Sequence, residues 1–328
     1  MTEVSPKVSN VVRLLSARDI RGLADRLGLR PTKKLGQNFV VEQGSVRQIA
    51  ALARIGRHDA ILEVGPGLGS LTLALVEAAV LAAGPMFYEG VCGTAVRDGG
   101  GVAPPGPRDI PLRLVAVEID PVLAAELPRT IAGRAPDLAP RVQVLLADAL
   151  TVIEPELGVP SPTVLAANLP YNVAVPVLLH LLAVLPGLER GVVMVQAEVA
   201  ERMCAGPGSR VYGVPSAKLA WYADARLAGT VPRTVFWPVP NVDSKLVAFT
   251  RHDPPPTAAS RQQVFALIDA AFRQRRKTLR AALAGWAGSA AEAERVLRAA
   301  GVDPGARGET LAVADFARVA QTALPGTR

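Results

Sequence analysis

Cysteine is nearly absent: Cys92 and Cys204 are the only two in 328 residues. That scarcity excludes a disulfide scaffold and a cysteine-rich zinc site. Histidine is almost as rare. His58, His180 and His252 fall in no motif, no metal-ligand spacing occurs, and none of the three is assigned a catalytic role. The N-terminus, MTEVSPKVSNVV, lacks the apolar stretch of a secretory signal. Residues 157–188 carry no charge, but Pro162, Pro170, Pro176 and Pro186, with Asn168 and Asn172, cut that stretch into short pieces. A spanning helix needs about 20 continuous apolar residues, so buried strand, loop and helix are predicted there. The chain reads as soluble and cytoplasmic, with no membrane association and no internal repeat.

What is present is ample apolar material and an uneven charge. Half the residues are hydrophobic, enough for a sizeable core and too many for global disorder. The length suits about two domains at roughly 150 residues each. The net charge is +7, which points to a polyanionic partner. Its distribution says more: residues 1–34 hold 8 Lys/Arg against 3 Asp/Glu, residues 35–253 hold 17 against 20, and residues 254–328 hold 11 against 6. A slightly acidic body carries two basic ends.

Along the chain, short apolar runs alternate with helical spacing. Strands are predicted at 60–64, 112–117, 142–146, 163–167 and 191–196, with helices at 11–28, 43–55, 71–83, from Pro121 and at 197–204. Continuous apolar strands between helices predict an α/β fold with a parallel sheet covered on both faces. Ligands in such sheets bind beyond the carboxyl ends of the strands. Residues 84–111 are rich in Gly and Pro without periodicity and read as a surface insertion. The Pro-rich break HDPPPTAAS at 252–260 ends the alternation, and a small all-helical C-terminal domain is expected over 253–328, after a catalytic domain at 1–252 with a basic N-terminal extension at 1–37.

Four strand ends carry chemistry. Gly65-Pro66-Gly67-Leu68-Gly69 links a strand to a helix, where glycines permit a tight turn and close backbone approach to a ligand. That loop alone suits nicotinamide dinucleotides and S-adenosylmethionine equally. Glu118, ending the next strand, can accept hydrogen bonds from both hydroxyls of a ribose, while Asp120 suits the N-cap of a helix begun by Pro121. Asp148 can accept from the exocyclic amine of an adenine ring, or cap a turn. Asn168-Leu169-Pro170-Tyr171 is the most informative. The exocyclic nitrogen of adenine is a poor nucleophile because its lone pair is delocalised. Two acceptors aimed at its hydrogens, the Asn168 side-chain oxygen and a backbone carbonyl of Leu169–Pro170, would draw it towards tetrahedral geometry and stabilise the developing positive charge. Tyr171 can stack on the base. The alternative is a Pro-containing turn with a buried tyrosine.

These segments, with LGQNFV at 35–40, EVGPGLG at 63–69, VEID at 117–120, ADA at 147–149, NLPYN at 168–172, QAEVAER at 196–202, FWPVPNVDS at 236–244 and QRRKTL at 274–279, together resemble the ribosomal RNA adenine N6,N6-dimethyltransferases, specifically the bacterial small-subunit type. The resemblance runs from about Lys33 to Leu283. It implies a Rossmann-like S-adenosylmethionine-dependent methyltransferase domain and a small helical domain. It places donor contacts at Asn38, Val40, Gly65, Glu118, Asp148 and Asn168, and target-adenine contacts at Asn168, Leu169, Pro170 and Tyr171, with Phe236 as a second stacking ring. The chain departs from the family pattern in the 84–111 insertion, in Asn241 where lysine is common, in bulky Trp237 beside Phe236, and in Val40 for a usual leucine.

The implied reaction is N6,N6-dimethylation of two adjacent adenosines in the 3′-terminal hairpin loop of 16S rRNA. The implied partner is small-subunit rRNA within a pre-30S particle, met by a monomer. The basic ends then become RNA contacts. Arg273, Arg275, Arg276, Lys277 and Arg280 are expected on one amphipathic helix over 265–285, able to pair with phosphates, while Lys33, Lys34 and the N-terminal arginines flank the other side of the cleft. Other readings are a 23S rRNA adenine N6-methyltransferase of the macrolide-resistance type, a ribosome-assembly binding factor, and, more distantly, a nicotinamide oxidoreductase.

Overall fold

The computed structural model describes residues 11–29, 38–84, 110–158, 161–170 and 172–324. Lys33, Lys34, Tyr171 and nearly all of the 84–111 segment lie outside the described residues. The expected alternation is present. After helix α1 (Ala17–Arg26), a two-residue strand β1 (Phe39–Val40) and α2 (Gln43–Leu52) come β2 (Ala60–Val64), α3 (Ser70–Ala83), β3 (Arg113–Glu118), α4 (Pro121–Arg134), β4 (Val142–Leu146), β5 (Val164–Asn168), α5 (Ala174–Val184), β6 (Arg190–Gln196) and α6 (Ala197–Met203). The helix expected over 11–28 starts only at Ala17, because Ser16 caps it: its hydroxyl accepts from the Asp19 amide at 3.2 Å and the Asp19 carboxylate accepts from the Ser16 amide at 2.8 Å.

The main sheet has the order β4-β3-β2-β5-β6, continued by β9 (Ser244–Arg251) and β7 (Ala223–Val231). The pairs β2–β3, β3–β4, β2–β5 and β5–β6 are all parallel. Strand β2 is buried at every position, as a central parallel strand should be. The chain winds outward from β2 through β3 and β4, then returns to the other side of β2 as β5 and β6. The strand order therefore reverses between β2 and β5, the place where open α/β sheets leave a crevice. Helix α3 is apolar all round, with ten of its residues buried, and its single acid Glu77 is held bidentately by Arg47 of α2 at 2.7 and 3.0 Å. The described part of the uncharged 157–188 stretch contains β5 and α5, and no described helix is long and apolar enough to cross a membrane.

Contacts group the chain into two units: Met1–Ala197 with Ala228–Ala248, and Glu198–Leu227 with Phe249–Arg328. The second unit holds α7 (Val214–Leu219), α8 (Arg261–Arg273), α9 (Leu279–Ala282), α10 (Ala284–Ala287), α11 (Ala290–Ala299) and α12 (Val313–Thr322). It differs from the 253–328 domain expected from sequence by including residues 198–227. Aromatic packing explains the addition: Tyr212 meets Phe272 edge-on at 5.8 Å, and Trp221 and Tyr222 both meet Phe265, at 6.2 and 6.1 Å. Lys218 also pairs with Asp269 at 2.7 Å. These partners are 43–60 residues apart in sequence, beyond any local pattern.

The single helix expected over 265–285 is a correction. Helix α8 ends at Arg273 and α9 begins only at Leu279. Between them the backbone leaves helical geometry, because the Leu279 and Arg280 amides donate to Ala306 and Pro304 carbonyls at 2.7 and 3.1 Å rather than to carbonyls four residues back.

Candidate active site

The glycine loop is shaped by left-handed backbone. Gly65, Gly67 and Gly69 have φ of +68°, +59° and +96°, conformations that L-residues adopt only at a cost. Space is closed as well: a Cβ at Gly67 would lie 3.1 Å from the Phe39 ring, and one at Gly69 would lie 2.8 Å from Leu127 Cδ1. The Gly65 amide donates to the Val117 carbonyl at 2.9 Å, tying the loop to the neighbouring strand end. Gly69 then opens α3 with no side-chain cap, and Ser70 and Leu71 of its first turn line the crevice.

Glu118 closes the far side. One carboxylate oxygen accepts from the Gly67 amide and the other from the Asp120 amide, each at 3.0 Å. Each oxygen keeps a second lone pair for a ligand hydroxyl. Burial raises its pKa above the ordinary glutamate value, these backbone bonds oppose the rise, and the Asp120 charge adds to it. Asp120 is the N-cap of α4, accepting from Val122 at 2.8 Å and Leu123 at 3.3 Å, and Pro121 follows at the first helical position. Asp148 does two things at once: it lines the crevice, and one oxygen closes a turn by accepting from the Leu150 amide at 2.9 Å.

At the end of β5, the Asn168 side-chain amide donates to the Asn38 carbonyl at 3.2 Å, which turns Oδ1 away as an acceptor. The Pro170 carbonyl accepts from the Val173 amide at 3.2 Å, so the next acceptor along is the Leu169 carbonyl. Asn38, Val40, Gly65, Glu118, Asp148, Asn168, Leu169 and Pro170 all line one cleft with about 1050 Å³ of empty space. The fold thus brings together eight positions, from the β1 segment and four strand ends, with Asn38 and Asn168 lying 130 residues apart in sequence.

Phe236 is not brought there. It is 2% exposed and sits on β8 (Phe236–Trp237), paired antiparallel with β1 so that Val40 faces Phe236 and Phe39 faces Trp237. A stacking ring needs an open face, and the Phe236 ring is covered in this structure. Among the described residues, the aromatic side chain lining the cleft is Phe39, with Trp237 stacked on it at 6.4 Å and 21°. Sequence reasoning quoted Phe39 within a motif but gave it no task. It also passed over Glu63. That side chain is fully buried, and both its oxygens lack hydrogen-bond partners. Burial pushes its pKa up to about 8, with the Glu118 charge adding and the nearby Thr72 hydroxyl opposing. The available signal was an acid in the strand Ala60–Val64, where every neighbour is apolar.

In the helical unit, Arg273, Arg276 and Lys277 are exposed and form no ion pair among the described residues. Arg275 is held by Glu309 at 3.0 Å and by the Arg210 carbonyl, and Arg280 by Glu294 at 3.0 Å. These two expected RNA contacts are therefore also internal struts.

Comparison with known proteins identifies the family. A Thermobifida fusca protein named ribosomal RNA small subunit methyltransferase A is 58% identical over 309 residues, covering 94% of this chain and 96% of that protein. A Kineococcus radiotolerans protein of the same name is 58% identical over 315 residues, covering 96% and 93%. Among solved structures, a dimethyladenosine transferase from Plasmodium falciparum has a TM-score of 0.61 at 21% identity, over 85% of this chain and 94% of that one. The 23S rRNA methyltransferase ErmE gives 0.57 at 22%, over 87% and 99%. Both likenesses show the Rossmann-like methyltransferase fold. The model of ribosomal RNA adenine dimethylases matches residues 28–81 and 110–323, breaking off across the stretch read as an insertion. A match of that extent, joined to relatives alike over nearly their whole length, settles descent: the chain belongs to the ribosomal RNA adenine dimethylase family.

Proposed function

We propose that this protein is a 16S rRNA adenine-N6,N6-dimethyltransferase that modifies two adjacent adenosines of the 3′-terminal hairpin loop and takes part in small-subunit biogenesis. The observation that carries the reading is the convergence of Asn168 Oδ1 and the glycine-loop and Glu118 acceptor sites on one cleft. The cleft fits S-adenosylmethionine. Side chains at Gly65 and Gly67 would fill the cradle, Glu118 retains lone pairs for two ribose hydroxyls, and Asp148 retains an oxygen for an adenine amine. Asn38 and Val40 border the same space. When bound, the donor supplies an electrophilic sulfonium methyl group.

The chain's own residues act on the nucleophile. Asn168 Oδ1 and the Leu169 carbonyl accept the two hydrogens of the target amine. They hold its nitrogen towards tetrahedral geometry and stabilise the positive charge that grows as the methyl bond forms, an effect worth about 10²–10³ in rate for comparable single contacts. Pro170 has no amide hydrogen to compete for those acceptors. No residue need act as a general base, since the amine proton becomes acidic once the nitrogen is alkylated. Tyr171 stacks on the base. Arg273, Arg276 and Lys277 contact RNA phosphates, with Arg275 and Arg280 beside them and Lys33 and Lys34 on the catalytic unit. The substrate is a pre-30S particle in the cytoplasm, and the enzyme acts as a monomer.

The test is incubation with labelled S-adenosylmethionine and unmethylated small subunits, followed by nucleoside analysis. Dimethyladenosine in 16S rRNA is expected, with methylated subunits inert. Label confined to 23S rRNA would favour the macrolide-resistance type, and particle binding without label would favour an assembly factor.

A further inference from the structure

Away from the donor cleft, α1 and α4 border an open groove with about 1250 Å³ of empty space. Helix α1 buries Ile20 and Ala24 against the core and turns Arg18, Gly22 and Arg26 to the groove. That four-residue spacing sets them in one row along a helix face, with the two arginines about 12 Å apart along the axis. Helix α4 contributes Arg129, Gly133 and Arg134 from the other wall.

The groove also has acids, but they are spent internally. Asp19 pairs with Arg134 at 2.7 Å and accepts from the Ser16 amide and hydroxyl at 2.8 and 2.7 Å. Glu126 is buried and pairs with Arg26 and, at 3.5 Å, with Arg129. Of the groove's four lining arginines, Arg18 is exposed and has no ion pair among the described residues; Arg21, one turn along α1 and outside that lining, is likewise exposed and unpaired. Arg13 adds a further guanidinium, donating to the Gly133 carbonyl at 2.6 Å. Cationic character is what remains. Gly22 and Gly133 leave it accessible: a Cβ on either would meet nothing within 4 Å, and neither has a positive φ. A glycine inside a helix costs about 1 kcal/mol relative to alanine, and here no backbone conformation demands it; what it preserves is open space between the arginines.

A single phosphate would engage one guanidinium. Several arginines spaced along a groove match a ligand with many phosphates in a chain, and guanidinium forks suit phosphate oxygens. We propose that the α1–α4 groove binds RNA sugar–phosphate backbone, as a positioning surface separate from the cleft where adenine is methylated. The inference rests on the rRNA reading above.

The test uses the full-length protein, protein-free 16S rRNA and unmethylated small subunits, with affinity measured across a salt series. Arg18→Glu/Arg21→Glu reverses two charges that have no pair to lose. Gly22→Trp fills the groove without changing charge. The double variant is expected to bind both RNA forms at least about tenfold more weakly near 0.1 M salt, with a log–log salt slope flatter by roughly 1.5–2 for two lost phosphate contacts. Gly22→Trp is expected to weaken both by several fold. S-adenosylmethionine affinity should not move in either variant, and melting temperature should not fall in either, Gly22→Trp raising it slightly by removing a helical glycine. Unchanged binding in either variant, weaker binding with an unaltered salt slope, or weakening on subunits alone with normal binding to protein-free rRNA would overturn the proposal; the last would assign the groove to an acidic protein surface. Wild-type protein that neither binds nor methylates small-subunit rRNA would sink the underlying reading as well.

Discussion

Glu63→Gln should remove most of the stability loss that the protein undergoes between pH 5 and pH 7. The Glu63 carboxyl is fully buried with no hydrogen-bond partner for either oxygen, and its pKa rises from 4.5 to about 8. Desolvation is the main cause, because a charge there loses its water and gains no ion pair. Well below pH 4.5 the group is protonated in both folded and unfolded chains and adds no pH dependence. Between 4.5 and 8 the unfolded chain releases the proton while the folded one keeps it, so stability falls as pH rises, by up to about 1.4 kcal/mol per pH unit. Between pH 5 and pH 7 the loss is about 2–3 kcal/mol, a substantial part of the ~5–15 kcal/mol that holds a typical domain folded. Glutamine keeps the shape and cannot ionise. Its extra N–H adds a cost that is the same at every pH, so the informative quantity is the pH slope rather than the absolute stability. Urea denaturation of both proteins at pH 5 and pH 7, followed by circular dichroism, measures that slope, with Glu118 present in each. Parallel pH dependence in wild type and variant would refute a buried neutral Glu63.

Asn168→Ala should lower methyl transfer by about 10²–10³-fold in a labelled-donor assay, while calorimetry shows whether the donor still binds. Gly69→Ala should destabilise by at least about 1–2 kcal/mol, read as a lower urea midpoint, because it combines φ of +96° with a Cβ placed 2.8 Å from Leu127. Donor affinity should weaken on acidification, and at a higher pH than an ordinary glutamate would give. Glu118 must be ionised to accept from ribose, and burial raises its pKa; calorimetry from pH 5 to 8 would show it, and a flat profile would argue against Glu118 as the ribose acceptor. Arg276→Glu/Lys277→Glu should weaken rRNA binding and flatten its salt dependence by roughly 0.7–0.9 per lost contact with no change in melting, whereas Arg275→Ala, which loses Glu309, should lower the melting temperature as well.

Much of the donor side was legible because it is local. A strand that ends at a glycine loop, an acid at the tip of the next strand, and an N-cap followed by proline are each properties of a few adjacent residues. The parallel sheet then carries them to one edge without further information. The burial of Phe236 was not legible, for a different reason. Phe236 and Trp237 are adjacent on a two-residue strand, so alternation sends them to opposite faces; pairing with Phe39–Val40 decides which face is buried, and that pairing joins segments nearly 200 residues apart. The break between α8 and α9 was equally invisible, since the carbonyls that draw the Leu279 and Arg280 amides away belong to Ala306 and Pro304.

By itself, then, the sequence determined the α/β class, the strand-end motifs, the chemistry Asn168 can perform and the two basic ends, because backbone propensity and side-chain type act over a few residues. Tertiary structure alone decided which charges remain available. Glu126 and Asp19 neutralise some of the arginines around α1 and leave Arg18 and Arg21 unpaired, Glu309 and Glu294 occupy Arg275 and Arg280, and Glu63 is sealed from water beneath the glycine loop. Ion pairing and desolvation depend on distance in space, and no pattern along the chain encodes that distance.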